Sequence, residues 1–153
     1  MKIEDILAED LIVPSLRATE KRRVLEELAG VVAARHGEID RDRLVRALEE
    51  REALNSTALG DGVAIPHGKL TGIKRVFAAF GRSPAGVDFE SLDGKPTHLF
   101  FLLVAPEESA GAHLKALARI SRLLKDGAFR ERLLGAVDAE TLYGIIREED
   151  ARY

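Results

Sequence analysis

The chain has 153 residues, 46% of them hydrophobic, enough for one domain around a single core and too few for two. Its 23 Lys and Arg against 26 Asp and Glu leave a net charge of −3, without the basic excess that a nucleic-acid binder gathers to neutralise phosphates. The absence of cysteine removes disulfides, thiol catalysis and thiolate metal sites together.

Met1 to Leu11 is interrupted by Glu4, Asp5, Glu9 and Asp10, so it has neither the apolar centre of a secretory signal nor the length of a membrane span. A cytoplasmic chain without direct membrane insertion is therefore expected. Thr19 is placed to cap a helix running to about His36, with Val24, Leu25, Leu28, Val31 and Val32 on one side and Gly37 as its stop. A second helix is expected after Asp40, where Leu44, Leu48 and Arg51 fall on one stripe and Arg51 occupies a place an apolar residue would normally take.

From Leu54 to Leu70 helical periodicity is lost, and Gly60, Asp61, Gly62, Pro66 and Gly68 predict a loop entering a short strand, Val63 to Ile65, that stops at Pro66. Arg75 to Gly81 and Thr97 to Val104 read as further strands, with Asp93 and Gly94 turning the chain before the second. Its apolar run, Leu99 to Val104, predicts burial on both faces. A third helix from about Ser109 carries His113, Leu117, Ile120 and Leu124 on one stripe, and a fourth spans about Asp138 to Arg147. The polar tail Arg147 to Tyr153 is expected to fray. The sum is an α/β fold: a small mixed β-sheet flanked by helices on both faces, one layered domain over residues 1–153.

Chemistry concentrates in Gly60-Asp61-Gly62-Val63-Ala64-Ile65-Pro66-His67-Gly68. Pro66 fixes its own φ and keeps Ile65 extended, and Gly68 is expected to relieve crowding beside the imidazole. Gly60 and Gly62 permit the positive φ values from which backbone N–H groups converge on an anion. An imidazole with a pKa of about 6.5 is roughly three-quarters neutral at pH 7, so its nitrogen is nucleophilic without an activating base. Phosphoryl transfer makes the same demand, alignment more than activation. Arg51 suits the equatorial oxygens through its planar pair of donors, and His113, in the first turn of its helix, is a second candidate for an anion bound at His67.

Plainer readings stand beside these. His67 could be a turn histidine, Arg51 a helix-end cation and His113 a satisfied core residue. Ser56 and Thr57 could bond an anion or merely cap loop backbone. His36 at a helix end and His98 at the start of a strand are given structural roles. No two histidines stand at metal-ligand spacing, so no metal and no cofactor is expected.

Glu50-Arg51-Glu52, Asn55-Ser56-Thr57, Gly60 to Leu70, Ala112-His113-Leu114-Lys115-Ala116-Leu117 and Thr141 to Ile146 together resemble the IIA domains of the bacterial phosphotransferase system, fructose and mannitol type. The resemblance covers nearly the whole chain, and its specific part is Gly-x-Gly-x-Ala-x-Pro-His. It implies a mixed sheet flanked by helices, His67 as the phosphoryl acceptor, and Arg51 and His113 as catalytic supports; Ser56, Thr57 and Gly68 are the further candidates around the phosphate that the residues themselves suggest.

Pro66 to Leu70 and Leu142-Tyr143 look more like the nitrogen-related regulatory branch, for which a free-standing domain is expected. The implied donor is a histidine-phosphorylated carrier protein. The acceptors are regulatory protein targets or, in the alternative sugar-uptake reading, a separate IIB transporter subunit. A third reading is a binding module for which phosphorylation is incidental. In each case apolar surface near His67, from Leu54, Leu59 and Leu70, is expected to meet the partner.

Overall fold

In the computed structural model, which describes residues 1–153 apart from the side chain of Ala110, six strands form one mixed sheet. The strands are β1 (Ile12–Val13), β2 (Ala58–Gly60), β3 (Val63–Ala64), β4 (His67–Leu70), β5 (Phe77–Val87) and β6 (Thr97–Pro106). The helices are α1 (Lys21–Arg35), α2 (Arg41–Leu54), α3 (Ala110–Leu124), α4 (Gly127–Gly135) and α5 (Ala139–Asp150), with two short 3-10 turns before β1. The expected α/β layering, a mixed sheet with helices on both faces, is the arrangement found.

β6 is the centre of the sheet, and Leu99 to Ala105 are all buried, as the unbroken apolar run predicts. One side of β6 pairs antiparallel with β5, whose outer edge pairs parallel with the short β1. On its other side, β3 and β4 both run parallel to it, Val63 opposite Leu99 and His67 opposite Leu103. Every pairing keeps the same offset of 36 residues, so β3 and β4 are one strand interrupted in place, with no slip of register. The interruption is Ile65-Pro66, where proline has no N–H for the ladder, although the Pro66 carbonyl still accepts from Leu103 N at 2.9 Å.

Three helices begin at aspartates that cap free amides. Asp40 accepts from Asp42 N and Arg43 N, Asp126 from Ala128 N and Phe129 N, and Asp138 from Thr141 N. α1 differs from expectation here. Its N-cap is Glu20 with no side-chain cap bond, because Thr19 lies one residue too early, and packing of Val24, Leu25, Leu28, Ala29 and Val32 holds the helix instead.

β1, α4 and, within residues 54–70, β2 and β4 stand beyond the expected elements, while the expected strand from Val63 is β3. The tail is corrected as well: α5 continues to Asp150, and Glu149 and Asp150 are buried. Asp150 accepts from Ile3 N at 2.8 Å and from Arg119 Nε, so charges that look solvent-bound in one dimension are satisfied across the fold.

Candidate functional site

The site is built where α2 crosses β4. Gly68 is buried against α2, and a Cβ there would stand 3.1 Å from the Ala47 Cβ and 3.3 Å from its carbonyl carbon. The expectation that Gly68 relieves crowding at the imidazole is therefore corrected: its missing side chain lets helix and strand approach. One turn after Ala47, on the same stripe, stands Arg51, and one residue before Gly68 stands His67. The close approach brings the two together, with Arg51 Nε donating to His67 Nε2 at 3.2 Å.

The other ring nitrogen is fixed by strand geometry. Successive carbonyls of a strand point to opposite sides, and with Pro66 facing β6, Ile65 faces away from it. Ile65 N donates to Thr57 O at 3.2 Å, and the Ile65 carbonyl accepts from His67 Nδ1 at 2.8 Å. Nδ1 thus carries the proton, and the Nε2 lone pair faces the guanidinium. Burial pushes the His67 pKa below 6.5; the Ile65 carbonyl works in the opposite direction and Arg51 adds to the lowering. The half-buried ring is neutral at pH 7.

His113, on the first turn of α3, packs edge-on to His67 with ring centroids 5.3 Å apart and planes at 78°. It is 6% exposed, and its Nε2 is buried without a hydrogen-bond partner among the described residues. Burial, then the neighbouring His67 and Lys69, lowers its pKa to about 4. A buried polar atom left unpaired costs about 1–3 kcal/mol, which an arriving anion would offset.

Ser56 and Thr57 are engaged elsewhere. Ser56 Oγ donates to Phe89 O at 2.5 Å and accepts from Ala58 N, while Thr57 bonds the Glu52 carboxylate through both its hydroxyl and its backbone N–H. Glu52 in turn pairs with Lys21 at 2.9 Å. Gly60, Asp61 and Gly62 do have positive φ, of 90°, 56° and 77°, but they turn the chain between β2 and β3, and Asp61 N donates to Asp93 Oδ2 at 3.2 Å. Positive φ at both Asp61 and Gly62 is what a two-residue type I′ hairpin requires, and the Asp-Gly pair was its signal.

Sequence reasoning also missed Asn55, whose backbone carbonyl and Oδ1 accept from Arg51 Nη1 at 3.0 and 3.1 Å. The i, i+4 spacing of Arg51 and Asn55 was the clue. Of the expected apolar surface, Leu54 is 79% exposed and Leu59 55%, but Leu70 is buried at 5% because its side chain points into the core. Leu114, beside His113, is exposed. His98 bonds Ser83 O and His36 lies against Phe77, both away from this cluster.

Residues 5–149 match the family model described as phosphoenolpyruvate-dependent sugar phosphotransferase system, EIIA 2. The chain belongs to this EIIA family. Its members transfer phosphoryl groups, which makes the protein a phosphotransferase component.

The chain is 44% identical over 146 residues to a nitrogen regulatory protein of Bradyrhizobium diazoefficiens, covering 95% of each. It is 39% identical to the fructose-specific EIIABC component of Bacillus subtilis, covering 98% of this chain but 24% of that protein. The crystal structure of the nitrogen regulatory protein IIA-Ntr from Neisseria meningitidis superposes with a TM-score of 0.88 at 35% identity, covering 94% of this chain and 98% of that one. Among the described residues of this EIIA chain, no helix is long and apolar enough to cross a membrane.

Proposed function

We propose that this EIIA protein accepts a phosphoryl group on Nε2 of His67 from a histidine-phosphorylated carrier protein, and acts as a regulatory component of a nitrogen-related phosphotransferase system. The observation that carries the reading is the divided imidazole: Nδ1–H is committed to the Ile65 carbonyl while the Nε2 lone pair faces Arg51. In the transfer, the donor's P–N bond breaks, its electron pair stays on the donor ring, and a P–N bond forms at Nε2. The His67 ring keeps its Nδ1 proton and gains positive charge, which the Ile65 carbonyl stabilises. Arg51 shifts its donors from the nitrogen to the phosphoryl oxygens, and His113 donates to the same group, its proton affinity rising beside the new anion.

The regulatory branch is favoured because the relatives named nitrogen regulatory protein match this chain end to end, at 44% and 38% identity over 95% of their length. Phosphorus NMR after incubation with the donor cascade tests the acceptor: an acid-labile, base-stable phosphohistidine signal is expected from wild type and none from His67→Ala. Equal labelling of that variant would overturn the proposal.

The similarity to the fructose-specific component supports sugar uptake as a second reading. Delivery of phosphate to sugar in membranes reconstituted with IIB and the transporter would favour it. A binding module indifferent to phosphorylation would hold partners alike as His67→Ala and His67→Asp; an affinity ratio beyond about tenfold, about 1.4 kcal/mol, argues for a phosphorylation readout.

A further inference from the structure

Arg51 has three sets of donors, and the fold commits only some of them. Nη1 donates to both oxygens of Asn55, the backbone carbonyl at 3.0 Å and Oδ1 at 3.1 Å. Nε donates to His67 Nε2, and Nη2 has no partner among the described residues. In a guanidinium, Nε–H and one Nη2–H lie along one edge and point the same way, the fork that fits two oxygens of a phosphoryl group. Holding Nη1 from behind turns that edge toward His67.

Asn55 is itself held in place. It caps the C-terminus of α2 in an extended conformation, and the segment from Glu52 to Thr57 is closed by Glu52, which accepts from the Thr57 N–H and hydroxyl and pairs with Lys21. The Oδ1 orientation is also determined, because turning the amide over would set its NH2 against the guanidinium donors.

Resting on the reading of His67 as acceptor, we propose that Asn55 is a positioning residue for phosphoryl transfer, fixing the rotation of the Arg51 guanidinium so that its Nε/Nη2 edge receives the phosphoryl oxygens. The side chain is exposed, so its replacement leaves the core untouched. With only the backbone carbonyl left to hold Nη1, the guanidinium swings and the two-donor edge is lost for part of the time.

The test compares wild type, Asn55→Ala and Asn55→Asp, the last keeping an oxygen where Oδ1 stands. Nitrogen-15 NMR of the unphosphorylated protein reads the Arg51 Nε–H and the His67 ring nitrogens. A slowly exchanging Arg51 Nε–H signal is expected in wild type and Asn55→Asp, and an averaged one in Asn55→Ala. Phosphoryl uptake from the donor carrier should slow about tenfold in kcat for Asn55→Ala with the donor KM unchanged, the scale of one charge-assisted hydrogen bond. An unchanged Arg51 Nε–H signal or an unchanged kcat in Asn55→Ala would overturn the inference while leaving the His67 reading intact. Absence of phosphate on wild-type His67 would overturn that reading and this one with it.

Discussion

Arg51 and Arg82 both reach backbone carbonyl oxygens, and they serve opposite purposes. Arg82 is 7% exposed; its Nε donates to Pro14 O at 2.9 Å and its Nη1 to Leu133 O at 2.8 Å and Ala136 O at 2.6 Å. Those acceptors include the C-terminal end of α4, where helix carbonyls lack partners and the dipole is negative. A charge so placed fastens β5, α4 and the segment after β1 to one another. Arg51 is half-buried at the rim of α2, tied at one corner and open along an edge. Committed donors make a staple; donors held but not exhausted leave an edge free, the edge that the proposed function uses to bind.

Arg82→Met separates the two roles most sharply. It strips partners from several buried carbonyls and should lower stability by about 4 kcal/mol in urea denaturation, while the folded fraction takes up phosphate at the wild-type rate. A transfer defect in folded Arg82→Met would break the division.

The next effect is on pH. The unfolded chain protonates His113 near 6.5 and the folded chain only at about 4, so between these values the unfolded state binds more protons. The stability contributed by the neutral ring is present above pH 6.5 and lost as pH falls toward 4, by about 3 kcal/mol. His67, also lowered, acts in the same direction. Subtracting the His113→Gln profile from wild type should isolate the His113 contribution; parallel profiles would show that His113 is not buried neutral.

Arg51→Lys should slow phosphoryl uptake about thirtyfold, about 2 kcal/mol, with stability within about 0.5 kcal/mol, because an ammonium offers no two-donor edge. A large loss of stability would make Arg51 a staple after all. Gly68→Ala gives the smallest effect, about 1 kcal/mol, since Ala47 must move by a few tenths of an ångström. Its sharper consequence is a longer Arg51–His67 separation, seen as loss of the Arg51 Nε–H signal while the protein stays folded.

Much of the fold was legible because periodicity reports burial. The stripes of α1, α2 and α3 and the apolar run of β6 stand in the structure as read. What was missed was short or satisfied from afar. β1 is two residues long and exists through its pairing with Phe80 and Gly81. α4 begins at glycine and is fastened by Arg82, 45 residues earlier at its first residue. Glu149 and Asp150 read as a polar end until Ile3 and Arg119 are brought to them.

The sequence alone determined that one neutral histidine follows a proline at the end of a strand, and that an arginine and a second histidine sit on inward helix stripes, because these depend on residue type and spacing; that the strand resumes in register as β4 came from the fold. The tertiary structure decided which nitrogen of His67 is free and which edge of Arg51 faces it, and that Gly68 serves the crossing of α2 and β4. It also turned Ser56 and Thr57 to the loop. Each of those outcomes depends on hydrogen bonds and contacts between segments far apart along the chain, whose directions no local pattern carries.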